Sequence, residues 1–333
     1  MKAITYSKYG PPSVVTLTDV PKPHPKDNDV LIRLHATTVT TGDWRARSLT
    51  MPPGFGMLGR LVFGITKPRQ PILGTELAGV VESVGKMVTR FKPGDEVIAF
   101  PGGRYGSHAE YRTMPEDGMI THKPANLTFE EAASISFGST TALPFLRDKA
   151  KVKRGDQVLV VGASGAVGTA AVQIARHFGA EVTAVTSTAN VNLVRSIGAD
   201  RVIDYTRVDF AATGETWDII FDTTGTAPFG RCAQSLKPGG RLVIVLGTLA
   251  QALGIGGPSK ASGRQVIASV APLTPDDLRY IAGLASGGEL KPVIDRIYSL
   301  EDAAEAHAYV DTGRKRGSVV LTVRPGRPAE LAA

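Results

Sequence analysis

The chain has 333 residues, 42% of them apolar and 21% charged, the composition of an ordinary globular protein with room for two cored domains. Its formal charge of +7 comes without a basic block, and the densest cluster, Arg314-Lys315-Arg316, is short enough to be a solvated loop or a local phosphate partner, so no nucleic-acid partner is expected. One cysteine, Cys232, excludes an internal disulfide and a multi-cysteine zinc site and suits a reducing cytoplasm; its neighbours Phe229, Ala233 and Leu236 mark it as a buried helix-face thiol.

Met1 to Tyr6 alternates like a strand and lacks the apolar core of a secretion signal. Strand-like runs follow at Val14 to Leu17, Asp29 to Thr37, Ala78 to Val84, Glu96 to Phe100 and Ser107 to Arg112, separated by Pro- and Gly-rich turns. This pattern, up to Pro124, predicts a mostly β, barrel-like domain. From Leu127 to about Val270 apolar strands alternate with helical segments. The strand candidates are Val158 to Val161, Glu181 to Val185, Arg201 to Ile203, Asp218 to Phe221, Arg241 to Leu246 and Gln265 to Val270. That alternation predicts a parallel sheet covered by helices on both faces. The end of the chain adds helical patterns around Pro275 to Ser286 and Leu300 to Tyr309, then a strand, Ser318 to Val323. The uncharged stretch Gln157 to Ala175 changes from strand to helix period around its glycines, which argues against a membrane span, and no membrane partner is expected.

Within that stretch Gly162-Ala163-Ser164-Gly165-Ala166-Val167-Gly168 joins the strand to the helix. Read as a dinucleotide fingerprint, Ala163-x-Gly165-x-x-Gly168 permits a tight turn, close approach of backbone to a pyrophosphate and close packing of helix on strand. Unpaired N–H groups of the first helical turn then face the phosphates. A glycine-rich turn that only packs helix on sheet is the alternative.

Further motifs extend along the chain: Val39-Thr40-Thr41-Gly42-Asp43-Trp44, Gly74-Thr75-Glu76-Leu77-Ala78-Gly79, Phe91-Lys92-Pro93-Gly94-Asp95, Lys123-Pro124-Ala125-Asn126, Gly198-Ala199-Asp200 and Gly317-Ser318-Val319-Val320. In their order and spacing they resemble the medium-chain dehydrogenase/reductase superfamily, and within it the zinc-independent quinone oxidoreductase group. The resemblance implies an α/β fold with two domains. Residues 1–124 and 272–333 form a GroES-like, mostly β domain, and residues 125–271 form a doubly wound Rossmann domain. Thr141, Gly162, Ser164 to Gly168, Thr186, Ser187, Asn190, Tyr205, Thr224, Leu246, Gly247 and Ser318 then line the cofactor, and Thr40, Asp43, Trp44 and Phe137 the substrate. Trp44 serves equally as a core anchor and Asp43 as a solvated turn carboxylate; Phe55 and Phe63, in a segment from Met51 to Arg69, shape the entrance.

Departures from the zinc alcohol dehydrogenase pattern sharpen the reading. Thr40 stands for the ligand cysteine, Thr75 for the ligand histidine, the third ligand falls near Ser136-Phe137, and Gly42 replaces the proton-relay hydroxyl. Hydroxyls are poor zinc ligands, so no metal is expected. The six histidines show no paired spacing. After the second parallel strand comes Thr186-Ser187-Thr188-Ala189-Asn190, with no carboxylate to hold ribose hydroxyls, which favours NADPH while leaving NADH possible; Arg195 or Arg207 can add charge. The leading expectation is hydride transfer from NADPH to a quinone or enone in the cytoplasm. Alternatives are a zinc-free NAD(P)-dependent reductase or dehydrogenase of simple carbonyls or alcohols, and a non-catalytic NADPH-binding regulator. Relatives pair a last Rossmann strand across a two-fold axis, so a homodimer through Gln265 to Val270 is expected.

Overall fold

The computed structural model describes residues 1–255, 257–258, 262–268 and 272–323. Strands β1 (Lys2–Thr5) and β2 (Thr16–Asp19) form a small antiparallel sheet. The chain then lays down β3 (Asp29–Val39), β4 (Leu77–Val84), β5 (Glu96–Ala99), β6 (Tyr111–Pro115) and β7 (Ile120–His122). Next come β8 (Gln157–Val161), β9 (Glu181–Thr186), β10 (Arg201–Asp204), β11 (Trp217–Asp222), β12 (Leu236–Ile244) and β13 (Gln265–Ile267), and finally β14 (Ile294–Ser299) and β15 (Ser318–Thr322). One seven-stranded sheet runs β14-β15-β3-β4-β5-β7, with β6 also on β3, so strands from both ends of the chain share it. Its long strand β3 sends Ile32 and Leu34 into a core with Val97, Met114 and Ile120.

The second sheet has the order β10-β9-β8-β11-β12-β13, and every pairing in it is parallel. Its strand order reverses between β8 and β11, the place where a doubly wound sheet opens a crevice for ligand. Strand β8 reads as an unbroken apolar run because both of its faces are covered. Val158 and Val160 join one core and Leu159 and Val161 another. The helix Ala166–His177 then buries Ala170, Ala171, Ile174 and Ala175 on the first of these cores.

Several elements differ from the sequence reading. Val14 lies in a 3-10 turn, Pro12–Val14, and β2 begins at Thr16. Ser107 to Glu110 is not part of a strand; its backbone instead meets the amino terminus, with Ile4 N–H donating to His108 O at 2.8 Å and Glu110 N–H to Lys2 O at 3.0 Å. Strands β7 and β14 went unread, since neither Ile120-Thr121-His122 nor Ile294-Asp295-Arg296-Ile297 shows clean alternation. The segment from Met51 to Arg69 contains a helix, Gly56–Phe63. Of Gln265 to Val270, Gln265–Ile267 forms the sheet edge and residues 269–271 lie outside the described residues.

Candidate active site

Backbone geometry explains each glycine of the turn after β8. Gly162 has φ +77°, and a Cβ there would sit 2.4 Å from Thr224 Cγ2. At Gly168 a Cβ would lie 2.1 Å from Gly162 O, so only glycine lets the helix rest on the strand. Gly165 differs, because a Cβ there meets only Gly162 O, at 3.7 Å, and the side above it is open. Gly165 caps the helix Ala166–His177 without a side-chain hydrogen bond, leaving the N–H groups of Ala166, Val167 and Gly168 without intrahelical partners. Ser164 to Val167 are partly exposed, and the turn is stitched to the returning chain: Gly317 N–H donates to Ser164 O at 2.7 Å.

Asn190 reaches this turn from the end of β9, its Nδ2 donating to Ser164 Oγ at 3.1 Å and to Ser187 Oγ at 3.2 Å. Asn190 Oδ1 and Thr186 Oγ1 are buried without a partner among the described residues. Buried polar atoms left unpaired cost about 1–3 kcal/mol each, and a bound nucleotide ribose is a fitting partner. The expectation that no carboxylate stands here needs correction. Asp204, at the end of β10, accepts from Thr188 Oγ1 at 2.5 Å and from Thr206 Oγ1 at 2.7 Å, and these bonds hold its pKa below the usual carboxylate value. Sequence spacing missed it because it arrives from the neighbouring strand. Arg207 lies 3.6 Å from it; Tyr205 is 61% exposed with its N–H on Thr186 O.

The substrate side gathers residues far apart in sequence. Thr40 caps the helix Thr41–Ser48 in a reciprocal box with Asp43. Asp43, fully buried, accepts from Thr40 N–H at 2.8 Å, Thr40 Oγ1 at 2.6 Å and Gly74 N–H at 2.7 Å, so it ties two loops together and is no solvated turn carboxylate. Thr75 Oγ1 lies 3.4 Å from Thr40 Oγ1. A Cβ on Gly42 would meet Thr40 Oγ1 at 3.3 Å, Phe137 Cε2 at 3.5 Å and Thr75 Cγ2 at 3.8 Å. The positions named from sequence as replaced metal ligands therefore do converge, and what they present is two hydroxyls and a phenyl ring. Such a donor set does not fit zinc. Among the described residues no group of three or more His, Cys, Asp or Glu could hold a metal ion. Trp44, half-buried, packs on the core of Val39, Tyr105 and Leu300, with Arg45 over its ring at 5.4 Å, so the anchor reading accounts for its contacts.

Three further groups frame the site. Glu76 is fully buried, accepts from Thr38 Oγ1 and from Phe137 N–H, and burial pushes its carboxyl up to about 8. Burial pulls the Lys315 ammonium down to about 8, and its Nζ donates to Gly317 O at 2.7 Å. Glu76 was legible only as part of a motif, since nothing local announces that Thr38 and Phe137 will meet it. Tyr105 Oη donates to Gly42 O at 3.3 Å. Thr141 Oγ1 donates to Phe137 O at 2.9 Å, while Thr224 Oγ1 donates to Asp222 Oδ1 at 2.8 Å. Leu246 O approaches Gly225, and Gly247 packs near Ala268. Ser318 is nearly buried with its hydroxyl on Ser134 O at 3.2 Å, a tie between segments more than a lining group. His108 and His307, unpaired by spacing, pack edge to face at 5.6 Å, and burial holds the His307 pKa well below its ordinary value. Cys232 is buried, its thiol pushed up to about 12, as its helix-face setting implies.

Residues 26–125 match the family described as "Alcohol dehydrogenase GroES-like domain", and residues 197–321 match "Zinc-binding dehydrogenase". The latter span contains none of Thr40, Thr75 and Phe137. The chain is 34% identical over 328 residues to "Quinone oxidoreductase" of Sus scrofa, an overlap of 92% of this chain and 93% of that protein. It is 33% identical over 333 residues to "2-methylene-furan-3-one reductase" of Solanum lycopersicum, covering 96% of this chain and 79% of that one. The solved quinone oxidoreductase from Coxiella burnetii superposes with a TM-score of 0.85 at 31% identity, covering 97% of this chain and 99% of that one. Fold and site together define a medium-chain dehydrogenase/reductase. Within that superfamily the chain belongs to the quinone oxidoreductase-like family, a group of pyridine-nucleotide-dependent oxidoreductases.

Proposed function

We propose that the protein transfers a hydride from NADPH to a quinone or α,β-unsaturated carbonyl without a metal ion. The observation that carries this reading is the convergence of Thr40, Thr75 and Phe137 where a metal-dependent relative needs ligands. An acceptor conjugated to a carbonyl spreads the incoming negative charge onto oxygen, so it has less need of a Lewis acid than a simple alcohol or aldehyde. When bound, NADPH supplies the hydride, and the protein supplies alignment and a water-poor crevice.

The first-turn N–H groups of Ala166, Val167 and Gly168 hold the pyrophosphate. Ser164, Ser187 and Asn190 meet the adenosine ribose, and Tyr205 flanks it. Arg195 is exposed and can face a 2′-phosphate, and exposed Arg207, now paired with Asp204, can turn to it, which supports NADPH; Asp204 beside Thr188 is the feature that keeps NADH in play. Thr141, Thr224, Leu246 and Gly247 face the nicotinamide end. Thr40 Oγ1 already donates to Asp43, so its proton is committed. Thr75 Oγ1 has only the long 3.4 Å contact, and it is the hydroxyl we assign to the developing oxyanion. Phe137 forms a wall, and solvent completes protonation. The same reading takes 1–124 and 272–333 as the GroES-like domain and 125–271 as the Rossmann domain, supported by strands from both ends of the chain sharing one sheet. A cytoplasmic homodimer belongs to the same reading.

Steady-state oxidation of NADPH against quinones, enones and aldehydes tests the proposal, with chelator and added zinc as controls. Turnover of quinones or enones that ignores both treatments is expected. Turnover of aldehydes alone, stimulation by zinc, or tight NADPH binding without turnover each overturns it. Comparable specificity constants for NADH and NADPH overturn the cofactor preference alone.

A further inference from the structure

Charge is distributed unevenly along this chain. Residues 44–75 contain Arg45, Arg47, Arg60, Lys67 and Arg69 and no acidic residue, and residues 223–275 contain five Lys or Arg and likewise no acid. These two segments hold ten of the 38 basic residues and none of the 31 acidic ones, so the remainder of the chain is net acidic. The two segments touch where Leu249 N–H donates to Pro53 O at 3.1 Å. In the second, Arg231, Lys237 and Arg241 are paired with Asp209, Asp218 and Asp156, so the exposed, unpaired charge among the described residues lies in the first.

At that junction the helix Gly56–Phe63 turns apolar side chains to water. Met57 is 80% exposed, Leu61 51% and Val62 57%, with Ile65 just beyond at 59%. Met57 and Leu61, like Leu58 and Val62, are four apart and share a face. The opposite face is fixed. A Cβ on Gly59 would lie 2.6 Å from Met51 Cγ, Phe63 meets the Tyr105 ring at 6.2 Å, and Tyr9 Oη donates to Gly64 O at 2.8 Å. Arg47 is occupied by Asp311, and Arg45 lies over Trp44. Arg60, Lys67 and Arg69 are exposed and make no ion pair with the described residues.

We propose that this helix docks the protein on an anionic lipid surface, its apolar face at the acyl boundary and its free basic residues among the headgroups. A contiguous exposed apolar face implies a partner. A second copy is the poorer occupant, because a two-fold contact sets a patch against itself and would oppose acid-free basic segments. The sequence ruled out a spanning segment, and a helix lying in the interface needs none; docking revises the expectation of no membrane partner. Nothing here depends on which acceptor the active site reduces.

The full chain is sedimented with vesicles of phosphatidylcholine alone and of phosphatidylcholine with one-third phosphatidylglycerol. Binding to the anionic vesicles and not the neutral ones is expected, weakened at high salt. Met57→Glu/Leu61→Glu abolishes it with the circular dichroism spectrum unchanged, and Arg69→Gln weakens it about fivefold, the weight of one basic residue at such a surface. No binding to anionic vesicles, equal binding to both, or a change from dimer to monomer in the double variant by sedimentation velocity overturns the proposal, the last by assigning the patch to a second copy.

Discussion

The turn after β8 and the cluster around Thr40, each proposed to hold part of a ligand, are built by opposite means. Between Gly162 and Gly168 the proposed binding surface is the backbone itself, and glycine is required wherever a Cβ would collide. Around Thr40 side chains from three remote segments converge, held by the buried carboxylate of Asp43, and the special backbone there falls on neighbours, Gly74 at φ +98° and Tyr105 at φ +50°. A backbone site depends on local conformation and tolerates almost no change in side-chain size; a side-chain site depends on tertiary anchors and should degrade in steps.

The sharpest break of that contrast is within the turn itself. Gly168→Val places carbon 2.1 Å from Gly162 O and should destabilise the protein by about 3 kcal/mol or more, read by thermal unfolding, with NADPH binding lost. Gly165→Ala, where space is open, should leave the melting temperature within about 1 °C while weakening NADPH in a fluorescence titration. If both variants unfold alike, the open side of Gly165 is no ligand space.

Asp43→Asn addresses the other region. The amide cannot accept all three hydrogen bonds as well as the carboxylate does, and a cost of about 2 kcal/mol in chemical denaturation is expected, with a lower kcat and little change in NADPH affinity. Weakened NADPH binding would mean that the two regions are not separable. Thr75→Val comes next: a loss of about 10–100-fold in kcat for an enone at unchanged stability marks the hydroxyl as the oxyanion donor, and an unchanged kcat would dismiss it.

A pH-dependent effect concerns Glu76, whose carboxyl keeps its proton in the folded state from its ordinary 4.5 up to about 8. Unfolding releases that proton within this window, so the contribution of Glu76 to stability falls as pH rises across it. Glu76→Gln should flatten the decline between about pH 5 and 8, measured as the difference from the parent in melting temperature. A variant that parallels the parent across the range would show that Glu76 does not titrate there.

The same contrast decides what sequence could reveal. The strand, turn and helix from Val158 to His177 are one contiguous period change, so the elements were legible and the turn's geometry could be anticipated. The six strands β8 to β13 and their parallel pairing followed from alternation, while their order in the sheet required the fold. Thr40, Thr75 and Phe137 were readable only as replacements in a known pattern, and the 3.4 Å approach of the two hydroxyls and the gathering of all three around Gly42 required the fold. Asp204 was missed because a carboxylate on β10 reaches the end of β9 sideways, across the sheet, where spacing along the chain carries no information. The helix Gly56–Phe63 was hidden by its own composition, since two of its eight residues are glycine and its outward face is apolar.

The bond from Gly317 to Ser164, with the bridge between Gly165 and Gly317, pins the nucleotide loop to the strand that closes the other domain. With Ser318 Oγ on Ser134 O beside it, the turn and that strand cannot part without breaking several hydrogen bonds at once.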